Sequence, residues 1–226
     1  MEFIQPFSDK RHLAFCIHCG GHPDTLDHAP SKILLDKPYP PHLPQVGACR
    51  ACNVGFSADE AYVACLVECV LNGSTKPEDL RREKVKQLLL RRPSMRGLME
   101  DAFGSDLFGP VFRPNLERVQ RVVLKLARCH AAYENSEPQL DSPSSITILP
   151  FSALSPTQLA AFEKPPPSSI WPEIGSRAFQ RLLEPVATVP WLNVQEGRYR
   201  YLVTVTGGLV VRMVLSEYLA CEVVWT

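Results

Sequence analysis

Two Cys-x-x-Cys pairs, Cys16-Ile17-His18-Cys19 and Cys49-Arg50-Ala51-Cys52, limit what this chain can fold into more than any other feature. A two-residue gap lets a tight turn aim both sulfurs at one ion, and two such knuckles complete a tetrahedral thiolate shell. The spacing therefore predicts a structural Zn2+ on Cys16, Cys19, Cys49 and Cys52. Gly20 and Gly21 follow the first knuckle, where a backbone free to take positive φ is useful. The other four cysteines follow a different logic. Cys65 and Cys69 lie four apart in Ala58–Leu71, which reads as a helix with Tyr62, Cys65, Leu66, Cys69 and Val70 on one face. Cys129 and Cys221 are isolated among apolar neighbours. All four read as small core residues.

Composition supports the metal reading. The chain has no stretch of about 18 apolar residues, so no membrane span is expected, and its start carries no apolar run of signal-peptide length. The expected location is the cytoplasm, where thiols stay reduced and paired cysteines serve metals more often than disulfides. Lys plus Arg (24) equals Asp plus Glu (24) in 226 residues. A protein held on nucleic acid by bulk charge is excluded, though a local basic patch is not.

The sequence beside the knuckles adds chemistry. Thr25-Leu26-Asp27-His28-Ala29-Pro30 sets a carboxylate next to an imidazole, and Asn53 directly follows the second knuckle. This pattern, CxxC…DHxP…CxxCN, resembles the zinc-containing branch of the HNH, or ββα-metal, nucleases, including the recombination endonuclease VII type. The resemblance covers about residues 10 to 72. The string from Cys49 to Glu60 is also similar to a group of bacterial HNH-domain proteins, and Val122 to Arg128 is similar to the same group. The resemblance implies a treble clef that presents a β-hairpin and a helix around one divalent cation, Mg2+ or Mn2+, and cleavage of phosphodiester bonds in DNA. It implies His28 as general base and Asp27 and Asn53 as ligands of the catalytic ion. The middle letter of the motif, usually Asn, falls on His42, which would hold the loop by hydrogen bonding.

The residue types suit that chemistry. A histidine titrates near neutrality and can take a proton from water, while a carboxylate and an amide offer hard oxygen ligands to a hydrated cation. Neighbouring residues on a strand point to opposite faces, so Asp27 and His28 share one site only where the hairpin bends or ends. A plain turn at Asp27-His28 and a capping role for Asn53 are the structural alternatives, with Ser57 the better N-cap and Glu60 completing a capping box. Phe56 then reads as a hydrophobic staple. Functionally, the alternatives are a catalytically weak or inactive HNH-fold module that binds nucleic acid or a protein partner within a larger assembly, and a redox-sensing thiol protein. Phosphate contacts are expected from Arg11, Lys32, Lys37 or Arg50. His12, His18 and His22 read as exposed loop residues.

The remaining chain is helical and then sheet-like. Gly73 to Pro77 breaks the first helix. Pro77–Arg92 reads as a helix rich in Arg81, Arg82, Lys84, Lys86, Arg91 and Arg92, which is either a solvated face or a basic track for a phosphate backbone. Asn115–Ala132 is a second helix, and His130 near its end reads as a partner for the helix C-terminus. Residues 135–144 resemble a linker. Ile146–Leu149 reads as a strand, Pro156–Glu163 as a short helix and Lys164–Pro167 as a stiff connector. Tyr199–Val205 and Leu209–Leu215 flank Thr206-Gly207-Gly208 as a hairpin, and Tyr218–Trp225 adds a third strand. The fold class expected is α+β. An N-terminal zinc-stapled ββα-metal module (1–72) leads to a helical middle (73–140) and a region ending in an antiparallel β-sheet (141–226). That sheet could recognise substrate, pack on the helices or pair two copies as a homodimer.

Overall fold

The computed structural model describes residues 10–107, 109–165, 167, 170–183 and 191–226. A short α1 (Arg11–Ala14) precedes the first knuckle. Strands β1 (Thr25–His28) and β2 (Gln45–Ala48) then pair antiparallel, with Thr25 opposite Ala48 and His28 opposite Gln45. Cys49 follows β2 at once and caps α2 (Arg50–Asn72), its Sγ accepting the Cys52 N–H at 3.4 Å. The helix thus begins inside the second knuckle and not at Ala58. Ser57, expected as the N-cap, lies within it and turns its hydroxyl back to the Asn53 carbonyl at 3.4 Å. A sulfur already serves the amide that a serine cap would have served. Phe56 is likewise helical, with its ring against His18.

From Asp59 to Cys69 every residue of α2 is buried, so the helix is enclosed on all sides. It ends where Gly73 takes the left-handed conformation (φ 61°) and donates to the Cys69 and Val70 carbonyls. The predicted helix over Pro77–Arg92 divides into a 3-10 turn, Pro77–Asp79, and α3 (Glu83–Arg91). The break has a side-chain cause. Glu68 of α2 accepts the backbone N–H groups of Arg81 and Arg82, each at 2.9 Å, and so satisfies donors that a continuous helix would have used internally. Arg82 is buried and donates to Asp36 (2.7 Å) and to the Ile33 and Leu35 carbonyls (3.0 Å each), so it belongs to no solvated face.

Helix α4 (Pro93–Ala102) and a small hairpin, β3 (Phe103–Asp106) with β4 (Gly109–Phe112), lead to α5 (Leu116–Asn135). Asn115 caps α5 as its sequence suggests, accepting the Arg118 N–H at 3.2 Å. Residues 135–144 are not a free linker. Asn135 and Ser136 are buried, and Arg128 donates to the Leu140 and Asp141 carbonyls.

Strands β5 (Ser145–Pro150), β6 (Leu192–Gln195), β7 (Tyr199–Val205), β8 (Leu209–Leu215) and β9 (Leu219–Trp225) form one antiparallel sheet in the order β5-β9-β8-β7-β6. The period of two is clear. Tyr199, Tyr201, Val203, Val211, Met213, Cys221 and Val223 join the hydrophobic core shared with α5. On the opposite face α6 (Pro156–Glu163) is tied down by Arg200 to Glu163 and by Arg212 to the Phe162 carbonyl. Gly208, in the β7–β8 turn, is required by closeness: a Cβ there would lie 2.2 Å from the Trp225 carbonyl oxygen. His130 is not a helix-end partner. It is fully buried, stacks on Tyr201 (ring centroids 3.7 Å apart) and shares a 2.8 Å hydrogen bond with the Tyr199 hydroxyl. A short α7 (Arg177–Leu182) packs beside the end of α5. The hydrophobic core runs without interruption from Ile17 of the first knuckle, through α2 and α5, to Trp225. Within the expected connector Pro166 lies outside the described residues, as does the chain before residue 10.

Candidate metal centre and hairpin site

The four cysteines come together. Their sulfurs all lie within 4.8 Å of one another, and Cys19 Sγ is 3.9 Å from Cys49 Sγ. Tetrahedral zinc with bonds of about 2.3 Å would set sulfurs about 3.8 Å apart, so the cluster fits such an ion with little adjustment. Its walls are made locally. The Cys16 carbonyl accepts the Gly20 N–H, and Gly20 takes φ 75°, which closes the first knuckle as a turn. Burial pushes the Cys16 thiol up, but the backbone N–H groups of Cys49, His18 and Cys19 outweigh it and bring its pKa down to about 7. Cys52 is pushed the other way, by burial and by the neighbouring sulfurs. Crowded thiols that cannot all ionise alone are what a dication relieves.

Beside this cluster, β1 separates Asp27 from His28 as strand alternation requires. Asp27 faces inward and is 4% exposed. Its Oδ2 accepts from His18 Nε2 at 3.0 Å and its Oδ1 from Lys125 Nζ at 2.8 Å. Lys125, on α5 and 1% exposed, also meets Glu60 of α2 at 2.7 Å and donates to the His28 carbonyl at 3.2 Å. Burial opposes ionisation of Asp27, yet the His18 hydrogen bond and the Lys125 charge hold its carboxyl below the ordinary value of 3.8. Burial likewise opposes the Lys125 ammonium, and Cys129, Asp27 and Glu60 together more than restore it. The ligand atoms of His18, Asp27 and Cys129 also lie within 4.8 Å of one another. Of that triad, Asp27 already pairs with a cation, the Lys125 ammonium.

His28 is half-buried on the other side of the strand. The side-chain amide of Gln45, its cross-strand partner, donates to Nε2 at 2.9 Å and fixes the ring. Burial, and then the nearby Lys32 ammonium, push the imidazole below its ordinary 6.5, so the ring is neutral at physiological pH. Asn53, in the first turn of α2, donates through Nδ2 to Thr25 Oγ1 (3.2 Å) and to the Leu26 carbonyl (3.3 Å), which clamps the helix to β1. His42 is exposed in the turn before β2. No hydrogen bond or ion pair among the described residues joins Asp27, His28 and Asn53 to one another; the first two feel each other only through charge.

His12 and His18, expected as exposed loop residues, are buried, whereas His22 is exposed. Sequence reasoning missed Lys125 and gave Glu60 to a capping box, whereas Glu60 pairs with Lys125. The signal for Lys125 was present: it follows Val122 by three and precedes Cys129 by four, inside the apolar stripe of its helix and not beside it. Gln45 carried no such signal, because only the strand register brings it to His28. Comparison with family models, with curated proteins and with solved structures finds no match for this chain.

Proposed function

We propose that this chain is an HNH-type endonuclease that hydrolyses phosphodiester bonds in DNA, with His28 as the general base and zinc on the four cysteines as a staple. The observation that carries the reading is the placement of His28. A neutral, ring-fixed imidazole stands on a β-hairpin that a helix clamps through Asn53 and a four-cysteine cluster anchors from below. With Nε2 accepting from the Gln45 N–H the ring proton sits on Nδ1; with the Gln45 amide flipped, its oxygen accepting from Nε2–H, Nδ1 carries the lone pair that takes the proton of an attacking water. The zinc supplies folding energy and takes no part in the reaction.

The expected Mg2+ or Mn2+ ligands are another matter. Both Asp27 oxygens are engaged, one of them by a buried ammonium, and the Asn53 amide nitrogen is turned to β1. In this arrangement Asp27 does not fit a divalent cation, and Asn53 offers one only its amide oxygen. That observation favours a second reading, an HNH-fold module that binds nucleic acid, or a protein partner in a larger assembly, without cutting it. Incubation of the purified protein with plasmid DNA, with and without Mg2+ or Mn2+, beside a His28→Ala variant, separates the two. Loss of a general base lowers the rate about 10²- to 10⁴-fold. Cleavage that falls by that factor in the variant supports the enzyme. DNA retained without cleavage, equally by both proteins, supports the binding module and sinks the enzyme.

A further inference from the structure

A groove of about 620 Å3 opens between the loop that follows β1, the segment entering α3 and the turn between β6 and β7. Its lining includes five cationic side chains, Lys37, Arg81, Arg82, Lys84 and Arg198, against two carboxylates, Asp36 and Glu83. In a chain whose formal net charge is zero, this is a local concentration of positive charge contributed by three segments far apart in sequence. The floor is rigid. Asp36 accepts from both Arg82 and Arg198, at 2.7 and 2.5 Å, and Gln195 donates to the Asp36 carbonyl at 2.9 Å. Lys84 is pinned to the Lys32 carbonyl (2.7 Å) and the Tyr39 hydroxyl (2.8 Å). Lys37 and Arg81, by contrast, are exposed at the rim, and their side chains make no ion pair among the described residues.

Lys32 stands beside the groove, its ammonium 5.9 Å from the centre of the Tyr39 ring. Lys32, whose carbonyl holds Lys84, is the cation whose charge reaches His28. A phosphate chain lying on Lys37, Arg81 and Lys84 would therefore run on past Lys32 toward the imidazole. A preformed concave surface with a local excess of positive charge focuses field and gathers polyanions, which a scattered set of surface lysines does not do.

We infer that this groove is the binding track for the phosphodiester backbone of DNA, with Lys37 and Arg81 as its free phosphate contacts and Arg82 with Asp36 as its frame. The inference deepens the nucleic-acid reading above and rests on it, but it does not require cleavage. The test is binding of a fluorescein-labelled DNA duplex, followed by anisotropy across a salt series, for wild type, Lys37→Glu/Arg81→Glu and Arg91→Glu/Arg92→Glu. The second pair is an exposed charge-matched control outside the groove lining. Each lost phosphate contact lowers the slope of log K against log salt by about 0.9, so the groove variant should lose about 1.8 from the slope and bind more than about tenfold more weakly. The control pair should stay within about threefold of wild type.

A groove variant that binds like wild type, or a control pair that weakens as much, would overturn the inference. Displacement of the duplex by micromolar AMP would reassign the groove to a small phosphomonoester and overturn it as well. The two readings fail separately. Wild type that cuts DNA while the groove variant binds it undiminished leaves the nuclease standing without this track. Wild type that binds through the groove without cutting leaves the track standing without the nuclease.

Discussion

Replacing Lys125 by methionine removes the ammonium that pairs with two buried carboxylates and keeps roughly the same volume. Asp27 and Glu60 would then face each other across an apolar gap, the first 4% and the second 7% exposed. The His28 carbonyl would lose its donor too. Removing one partner of a buried ion pair costs about 3 to 5 kcal/mol, because the charge left behind is uncompensated. Against a total stability of about 5 to 15 kcal/mol, that is a large share. The half-exposed pair Arg96–Glu100 on α4 gives a scale, since pairs of that kind contribute about 0.3 to 0.5 kcal/mol.

The assay is urea unfolding at pH 7, with zinc in excess, read by tryptophan fluorescence. Its pH dependence carries a sign. The folded-state pKa of Asp27 is depressed in the wild type, so its contribution is present above the unfolded value near 3.8 and is lost as pH falls through the lower folded value. In the methionine variant burial acts without the Lys125 charge, and the Asp27 pKa rises. Its carboxyl then protonates at a higher pH than in the unfolded chain, and the deficit relative to wild type narrows between pH 7 and about 4. The double variant Lys125→Met/Asp27→Asn should recover part of the loss. A deficit below about 1 kcal/mol at pH 7, or no recovery in the double variant, would refute the reasoning.

Two further outcomes are expected. Elemental analysis should find one zinc per chain in the wild type and none in Cys49→Ser, whose hydroxyl can still cap helix α2; zinc retained in the variant would contradict a four-thiolate site. Gly208→Ala forces a methyl against the Trp225 carbonyl and should cost about 1 to 3 kcal/mol as overpacking, seen as a lower Tm in thermal melts, and an unchanged Tm would show that the turn yields freely.

Features whose cause is local were legible in the sequence. The knuckle spacing brought four sulfurs together, Asn115 announced its helix, and the alternation from Tyr199 to Trp225 with a Gly-Gly turn foretold three strands of the sheet. What escaped was non-local. The split in the basic segment is caused by Glu68, more than ten residues upstream, and nothing in that segment marks it. The start of α2 was displaced because a cysteine can act as an N-cap as well as a ligand, whereas serine is the residue that sequence rules look for. His130 was assigned to a helix end because its partners, Tyr199 and Tyr201, lie on strands nearly seventy residues on. At the hairpin, alternation correctly set Asp27 and His28 on opposite faces. Only the packing of α5 revealed that Asp27 meets an ammonium.

The dual role of Cys49 has a consequence for how the protein responds to its surroundings. The same sulfur belongs to the four-cysteine cluster that could hold a metal and closes the first turn of the helix on which the hydrophobic core is assembled. Occupancy and fold then become one equilibrium, in which the chemical potential of free metal is a stability variable. Above the dissociation constant, each tenfold rise in free metal adds about 1.4 kcal/mol, and each tenfold fall removes it. Because α2 is enclosed from Asp59 to Cys69, this loss does not stop at a peripheral finger. Metal starvation would register as opening of the whole chain, with the His28 imidazole and the basic groove dispersed together.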